Sequence, residues 1–260
     1  VIIPVHFAGF PCDLEEISDI ANRYGLIVIE DAAHALGAVY KGSKIGSFEH
    51  SDMTIFSFHP VKSITTGEGG AVLTNNKDLY NKLFRFRNHG IENRNFVNDA
   101  HGDWYYEMQS LGYNYRMTDI QAALGVSQLK RLDDFIRRRK KIAQAFNKAF
   151  EGNPYFDIPH VEKDIQSAWQ LYVIRLKDRY VSKKREIFSC LRKKFLGVQV
   201  HYIPVYLHPY YQRLGYEKGS CPNAEDYYKR TISLPIFPAM READISYSIK
   251  TVLDTLRRFG

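Results

Sequence analysis

The stretch Ser57-Phe58-His59-Pro60-Val61-Lys62-Ser63-Ile64-Thr65-Thr66-Gly67-Glu68-Gly69-Gly70 places one lysine among small polar residues and glycines. Apolar runs at 53–56 and 71–73 flank it. A lysine desolvated in such a loop loses its proton and becomes an amine nucleophile toward a carbonyl. Taken alone, the stretch reads better as a Gly-rich turn that happens to hold a lysine. A second stretch, Glu30-Asp31-Ala32-Ala33-His34, follows the apolar run 26–29 and sets a carboxylate three residues before an imidazole. A catalytic dyad and a metal site both use such residues. A metal wants further ligands at fixed spacing, and none is evident, so no metal is expected. The bland alternative is an acidic loop with a satisfied histidine.

Ser57, Lys62, Asp31 and His34 considered together suit a different chemistry. A carboxylate keeps a pyridine nitrogen protonated, a lysine forms an imine with an aldehyde, and a serine holds a phosphate. Those are the needs of pyridoxal phosphate.

These residues require a scaffold that brings them together. Residues 1–5 read as a buried strand, and 26–29 as a second, continuous apolar one. Between them, Asp13 with Glu16 forms a helix cap, Leu14, Ile17, Ile20 and Ala21 form an inner face, and Gly25 ends the helix. Non-alternating strands separated by helix predict a mainly parallel sheet covered on both faces, with ligands beyond the carboxyl ends of the strands. Residues 77–88 read as a helix with Gly90 just past its end. Thr118 and Gln121 form a capping box that opens one long helix running through Ile136, of a length suited to bridge two domains. The polar, aromatic-rich insertion 93–109 fits none of these elements.

After Asn153-Pro154 the character changes. Strands are expected at 170–176 and 198–202, and helices at 182–195, 223–230 and 244–259, making a second, α+β unit. The division expected is a large domain over 1–135 and a small one over 136–260.

Four separated motifs then occur in order: Asp31-Ala32-Ala33-His34, Ser57 to Lys62, Thr65 to Gly70, and Gly112-Tyr113-Asn114-Tyr115-Arg116-Met117-Thr118-Asp119 with Gln121-Ala122-Ala123-Leu124-Gly125. Together they resemble the DegT/DnrJ/EryC1/StrS family of sugar aminotransferases, which are fold-type-I pyridoxal-phosphate enzymes. Within it, Asn153-Pro154-Tyr155-Phe156 and Gly197-Val198-Gln199-Val200-His201-Tyr202-Ile203-Pro204 look most like members that aminate a UDP-linked sugar on the way to pseudaminic acid. The resemblance implies an α/β, three-layer transferase fold with a smaller C-terminal α+β domain. It implies that Lys62 forms the imine with the cofactor and moves the proton, and that Asp31 pairs with the ring nitrogen. His34 would bond the phenolic oxygen, and Ser57 the phosphate. Asn114 would reach the phosphate of a neighbouring subunit, making the protein a homodimer with shared active sites. Gln199, Val200, His201 and Tyr202 would line the nucleotide-sugar site. The amino group would come from an amino acid, usually glutamate, and go to a C4 keto group.

One family variant dehydrates sugars with histidine in place of that lysine; Lys62 favours transamination. The same fold acting on another nucleotide sugar, or a non-catalytic or regulatory protein, are the alternatives. The resemblance also implies a further N-terminal segment ahead of residue 1, whose helix N-terminus would complete the phosphate cradle.

Bulk properties agree with this frame. The 260 residues are 45% hydrophobic and 25% charged, as in ordinary globular domains. No apolar run suits a membrane span. The net charge of +7 invites nucleic acid, but its basic runs at 137–141 and 183–185 read as solvated helix faces, without a nucleic-acid motif; an anionic small ligand suits the charge equally. Cys12, Cys190 and Cys221 are few and widely spaced, which predicts a reducing cytoplasm. Tyr206, Tyr210 and Tyr211 are expected in packing rather than in substrate stacking. His59, His89 and His208 carry no motif.

Overall fold

Asp13 accepts the Glu16 amide at 3.3 Å and opens helix α1 (Leu14–Tyr24). Gly25 ends it at φ +61°, a left-handed conformation that glycine adopts without Cβ strain. The Leu26 amide bonds back to Ala21, so strand β1 (Ile29–Asp31) starts later than the apolar run 26–29 suggests. The computed structural model describes residues 1–47 and 49–260. It divides into two compact units, Val1–Phe7 with Pro11–Leu132 and Ala8–Phe10 with Asp133–Gly260.

In the first unit, residues 1–5 run parallel to β1 through bridges at Ile2–Val28 and Val5–Asp31. On its other side β1 pairs in parallel with β2 (Met53–Ser57). Strand β3 (Gly70–Leu73) returns antiparallel to β2, because the loop between them holds no helix to carry the chain across. Helices α2 (Lys77–Phe86), capped by Asn76, and α3 (Asp119–Leu129), opened by the Thr118–Gln121 capping box, complete the unit. The single long helix expected from Thr118 is two. The Arg131 amide reaches the Gln128 carbonyl, three residues back, which tightens the last turn. Asp133 and Asp134 then favour a fresh N-terminus for α4 (Leu132–Phe150).

The second unit packs α4 on an antiparallel sheet in which β4 (Tyr172–Leu176) lies between β5 (Thr231–Leu234) and the short Phe156–Asp157 strand. Helices α5 (Lys184–Lys193), α6 (Pro222–Arg230) and α7 (Glu242–Phe259) follow the expected positions within a few residues. The strand expected at 198–202 is reduced to one bridge, Gln199–Ser233. Phe146, Phe150, Phe156, Tyr172 and Tyr180 fill the core. The basic run at 137–141 is not uniformly solvated. Arg139 is 4% exposed and donates to the carbonyls of Trp169 and Ile236 at 3.1 and 2.8 Å, and burial pushes its guanidinium down to about 10. Among the described residues, no helix is long and apolar enough to cross a membrane.

Candidate functional site

Side chains alternate across a strand, so Glu30 and Asp31 leave β1 on opposite faces. Two backbone bonds pin Asp31 to the first strand: its amide donates to Pro4 at 2.9 Å and its carbonyl accepts from His6 at 3.0 Å. Its Oδ1 accepts the Ala33 amide at 3.0 Å, which sets the carboxylate beyond the strand end. Ala32 donates to Ile55 of β2 and is fully buried, so the chain turns at once behind the sheet. His34, two residues further, is half-buried with its ring 6.1 Å from that of Phe7.

Ser57 is the last residue of β2, opposite Gly70. The loop that follows is held by its own backbone. Phe58 donates to Gly69 at 2.8 Å, Thr66 to Phe58 at 3.0 Å, and Lys62 to His59 at 2.9 Å. Thr65 and Thr66 add hydroxyl bonds to Phe58 and Glu68 carbonyls. The glycines have specific reasons. Gly67 sits at φ +81°, and a Cβ at Gly70 would come 2.8 Å from the Phe56 carbonyl. Buried Ser63 and Ile64 anchor the chain beside Lys62. Burial pushes the Lys62 ammonium below its ordinary value, while the Asp31 carboxylate pulls the other way. Burial thus favours the neutral amine of Lys62, against the pull of the Asp31 charge.

Asn114 is exposed, on a segment bridged to Asn88. The next helix does touch the lysine loop: Gln121 Nε2 donates to the Glu68 carbonyl at 3.0 Å. Gln199, Val200, His201 and Tyr202 lie in the second unit. Gln199 exchanges backbone bonds with Ser233, His201 Nδ1 lies 2.8 Å from the Ser233 hydroxyl, and the exposed Tyr202 ring packs edge-on against His201. Tyr206 is a packing residue that donates to Glu225 at 2.8 Å. Tyr210 and Tyr211 meet edge to face and are exposed, so neither joins the core part of the packing expected of them.

Two features escaped the motif reading. His6 and Glu30 form a buried pair 2.7 Å apart on the face of β1 away from Asp31. The available signal was a second carboxylate at the inward position of an otherwise apolar strand. Glu107 organises the insertion 93–109. Burial raises its carboxyl, but donors from Gln109, Val97, Asn98 and Tyr105, all within 2.9 Å, outweigh that and hold it down to about 2.

Comparison with known proteins follows this geometry. The profile of the DegT/DnrJ/EryC1/StrS aminotransferase family matches residues 1–253. Spore coat polysaccharide biosynthesis protein SpsC of Bacillus subtilis is 42% identical over 98% of this chain and 66% of its own length. The UDP-4-amino-4,6-dideoxy-N-acetyl-beta-L-altrosamine transaminase of Campylobacter jejuni is 40% identical over 98% of this chain and 65% of its own. The structure of Helicobacter pylori PseC, an aminotransferase involved in the biosynthesis of pseudoaminic acid, superposes with a TM-score of 0.91 at 33% identity, covering 99% of this chain and 67% of that one. The chain thus spans just under two thirds of the curated relatives it matches.

Proposed function

The chain belongs to the DegT/DnrJ/EryC1/StrS aminotransferase family, with its fold-type-I α/β architecture, and from that premise we propose a pyridoxal-phosphate-dependent sugar aminotransferase. It moves an amino group from an amino acid, glutamate, to the C4 keto group of a UDP-linked 4-keto-6-deoxy-amino sugar, for pseudaminic acid or a related surface glycan. The observation that supports this reading is the placement of Asp31 and Ser57 at the carboxyl ends of two paired parallel strands, with half-buried Lys62 in the loop that follows. That donor set fits an aldehyde cofactor with a basic ring nitrogen.

Bound there, pyridoxal phosphate supplies an aldehyde for amine capture and a ring that accepts electrons. The protein's own groups do the rest. Asp31 keeps a proton on the ring nitrogen through its carboxylate oxygen. Lys62 Nζ takes and returns the proton at the reacting carbon, for which a lowered pKa suits it. His34 orients the phenolic oxygen, and the Ser57 hydroxyl holds the phosphate. Gln199, Val200, His201 and Tyr202 contact the nucleotide sugar. Asn114 serves the phosphate site of a second copy. The apolar helix α3 directly after it, which buries none of its side chains, suits cover by that copy. Three unpaired cysteines fit a reducing cytoplasm as the place of action.

Titrating the purified protein with pyridoxal phosphate tests the site. The expected result is a visible absorption band that glutamate bleaches and that Lys62→Ala lacks. A band that persists in Lys62→Ala would remove the lysine from its role. The SpsC likeness favours a second reading, in which the acceptor is a different nucleotide sugar. A panel of nucleotide-linked 4-keto sugars, scored for amination, separates the two.

A further inference from the structure

Glu30 is 2% exposed, yet its carboxylate is ionised and tied to three neighbouring segments. Burial would raise its carboxyl, but bonds from His6, Ser51 and Thr54 outweigh this and hold it below the ordinary value. Oε2 meets Nε2 of His6 at 2.7 Å, and Oε1 accepts the Thr54 hydroxyl at 2.9 Å and that of Ser51. His6 is fully buried, and its Nδ1 accepts the Cys12 amide at 3.0 Å. With Nδ1 engaged, the ring proton sits on Nε2, facing Glu30. The same His6 donates its backbone amide to the Asp31 carbonyl.

A buried ionic contact is weak support for stability, since apolar residues of similar volume serve as well. Register is a different matter. β1 ends in two carboxylates, and a slip by one residue would exchange Glu30 and Asp31 across the sheet. The donors on the far face accept only one arrangement: Thr54 stands opposite Glu30 in the β1–β2 ladder, and His6 is locked by Cys12. We propose that His6 and Glu30 are a positioning pair that selects this register, so that Asp31 and not Glu30 is presented on the face opposite His6, beyond the strand end. The inference rests on the reading of Asp31 as the partner of the cofactor's ring nitrogen.

Glu30→Gln, His6→Gln and Tyr40→Phe test it. Glu30→Gln can keep an oxygen on Nε2–H of His6 only by turning its NH2 onto the Thr54 and Ser51 hydroxyls, which in the native protein donate to Oε1. His6→Gln keeps a donor for Glu30. Tyr40→Phe removes a 2.7 Å bond to Asp13 in the layer next to Glu30, without touching β1. Glu30→Gln is expected to weaken pyridoxal-phosphate binding about tenfold, as one unsatisfied buried group does. It should also displace the pH titration of the bound cofactor's absorption and speed amide exchange at Asp31, Ala32 and Ala33. His6→Gln, which keeps that donor, should leave most of each near its native value. If Glu30→Gln merely lowers the melting temperature, as Tyr40→Phe does, with affinity, titration and exchange unchanged, the pair is structural only and the proposal falls. Should Glu30→Gln not fold, Thr54→Val removes a single donor at equal volume and carries the same comparison. Failure of the unmodified protein to bind pyridoxal phosphate would overturn the functional reading, whereas the exchange rates still decide the positioning pair.

Discussion

The two units differ in the size of the apolar core they build. The second holds a cluster of aromatic and aliphatic side chains, with Phe146, Phe150, Tyr172, Ile187 and Leu256 fully enclosed. The first builds a smaller apolar core around His6, Glu30, Thr54, Ser63 and Thr66, and its helices α2 and α3 bury no side chain; the second buries polar groups as well, Arg139, Gln170 and Glu225 among them. An apolar core lowers free energy without specifying direction, whereas buried polar groups impose geometry because each must meet its partner. Both units thus fix geometry through buried polar groups, and the second adds the larger apolar cluster that carries its stability.

The largest effect expected is on the apolar side of this contrast. Phe146→Ala should cost about 4 kcal/mol in urea-induced unfolding, because its aromatic neighbours Phe150 and Tyr172 cannot close the cavity. A loss below about 1 kcal/mol would mean that this core is loose and the contrast false. Arg139→Met comes next. It strips donors from buried carbonyls of Trp169 and Ile236 and should cost roughly 2 kcal/mol. A gain in stability would instead show that burying the guanidinium outweighs its bonds.

In the first unit the sharper test is pH. Glu107 is held down to about 2, so its bonds favour the folded loop at every pH above the ordinary glutamate value. That contribution fades as pH falls below the ordinary value and is gone once the pH has passed through about 2. Trp104 fluorescence in a Trp169→Phe background should report this loosening, and Glu107→Gln should abolish its pH dependence. Smallest of all, Ile120→Ser on the exposed face of α3 should move the monomer's stability by no more than about 0.5 kcal/mol. Ile120 is 85% exposed, so a larger cost at high protein concentration alone would report cover by a second copy.

Much of the local structure was legible from residue types. The caps at Asp13, Gly25 and Thr118–Gln121 lie where their spacing puts them, because a cap needs only partners three or four residues away. The motifs around Asp31, Ser57 and Lys62 were legible for a similar reason: each is a short run at a strand end. Strand limits were less so. The Leu26 amide was claimed by the preceding helix, and 198–202 made one bridge instead of a strand.

By itself, then, the amino-acid sequence determined the family signature, the helix ends and the presence of a lysine and a carboxylate beyond strand ends. Tertiary structure alone decided that Glu30 turns to His6 on the face opposite Asp31, that Arg139 leaves its basic run to bind carbonyls at 169 and 236, and that Glu107 gathers the loop around itself. The last needs only neighbours ten residues away or fewer; the others join residues 24 to 97 positions apart. No local propensity encodes such pairings, because they exist only once the sheet register and the packing around α4 have formed.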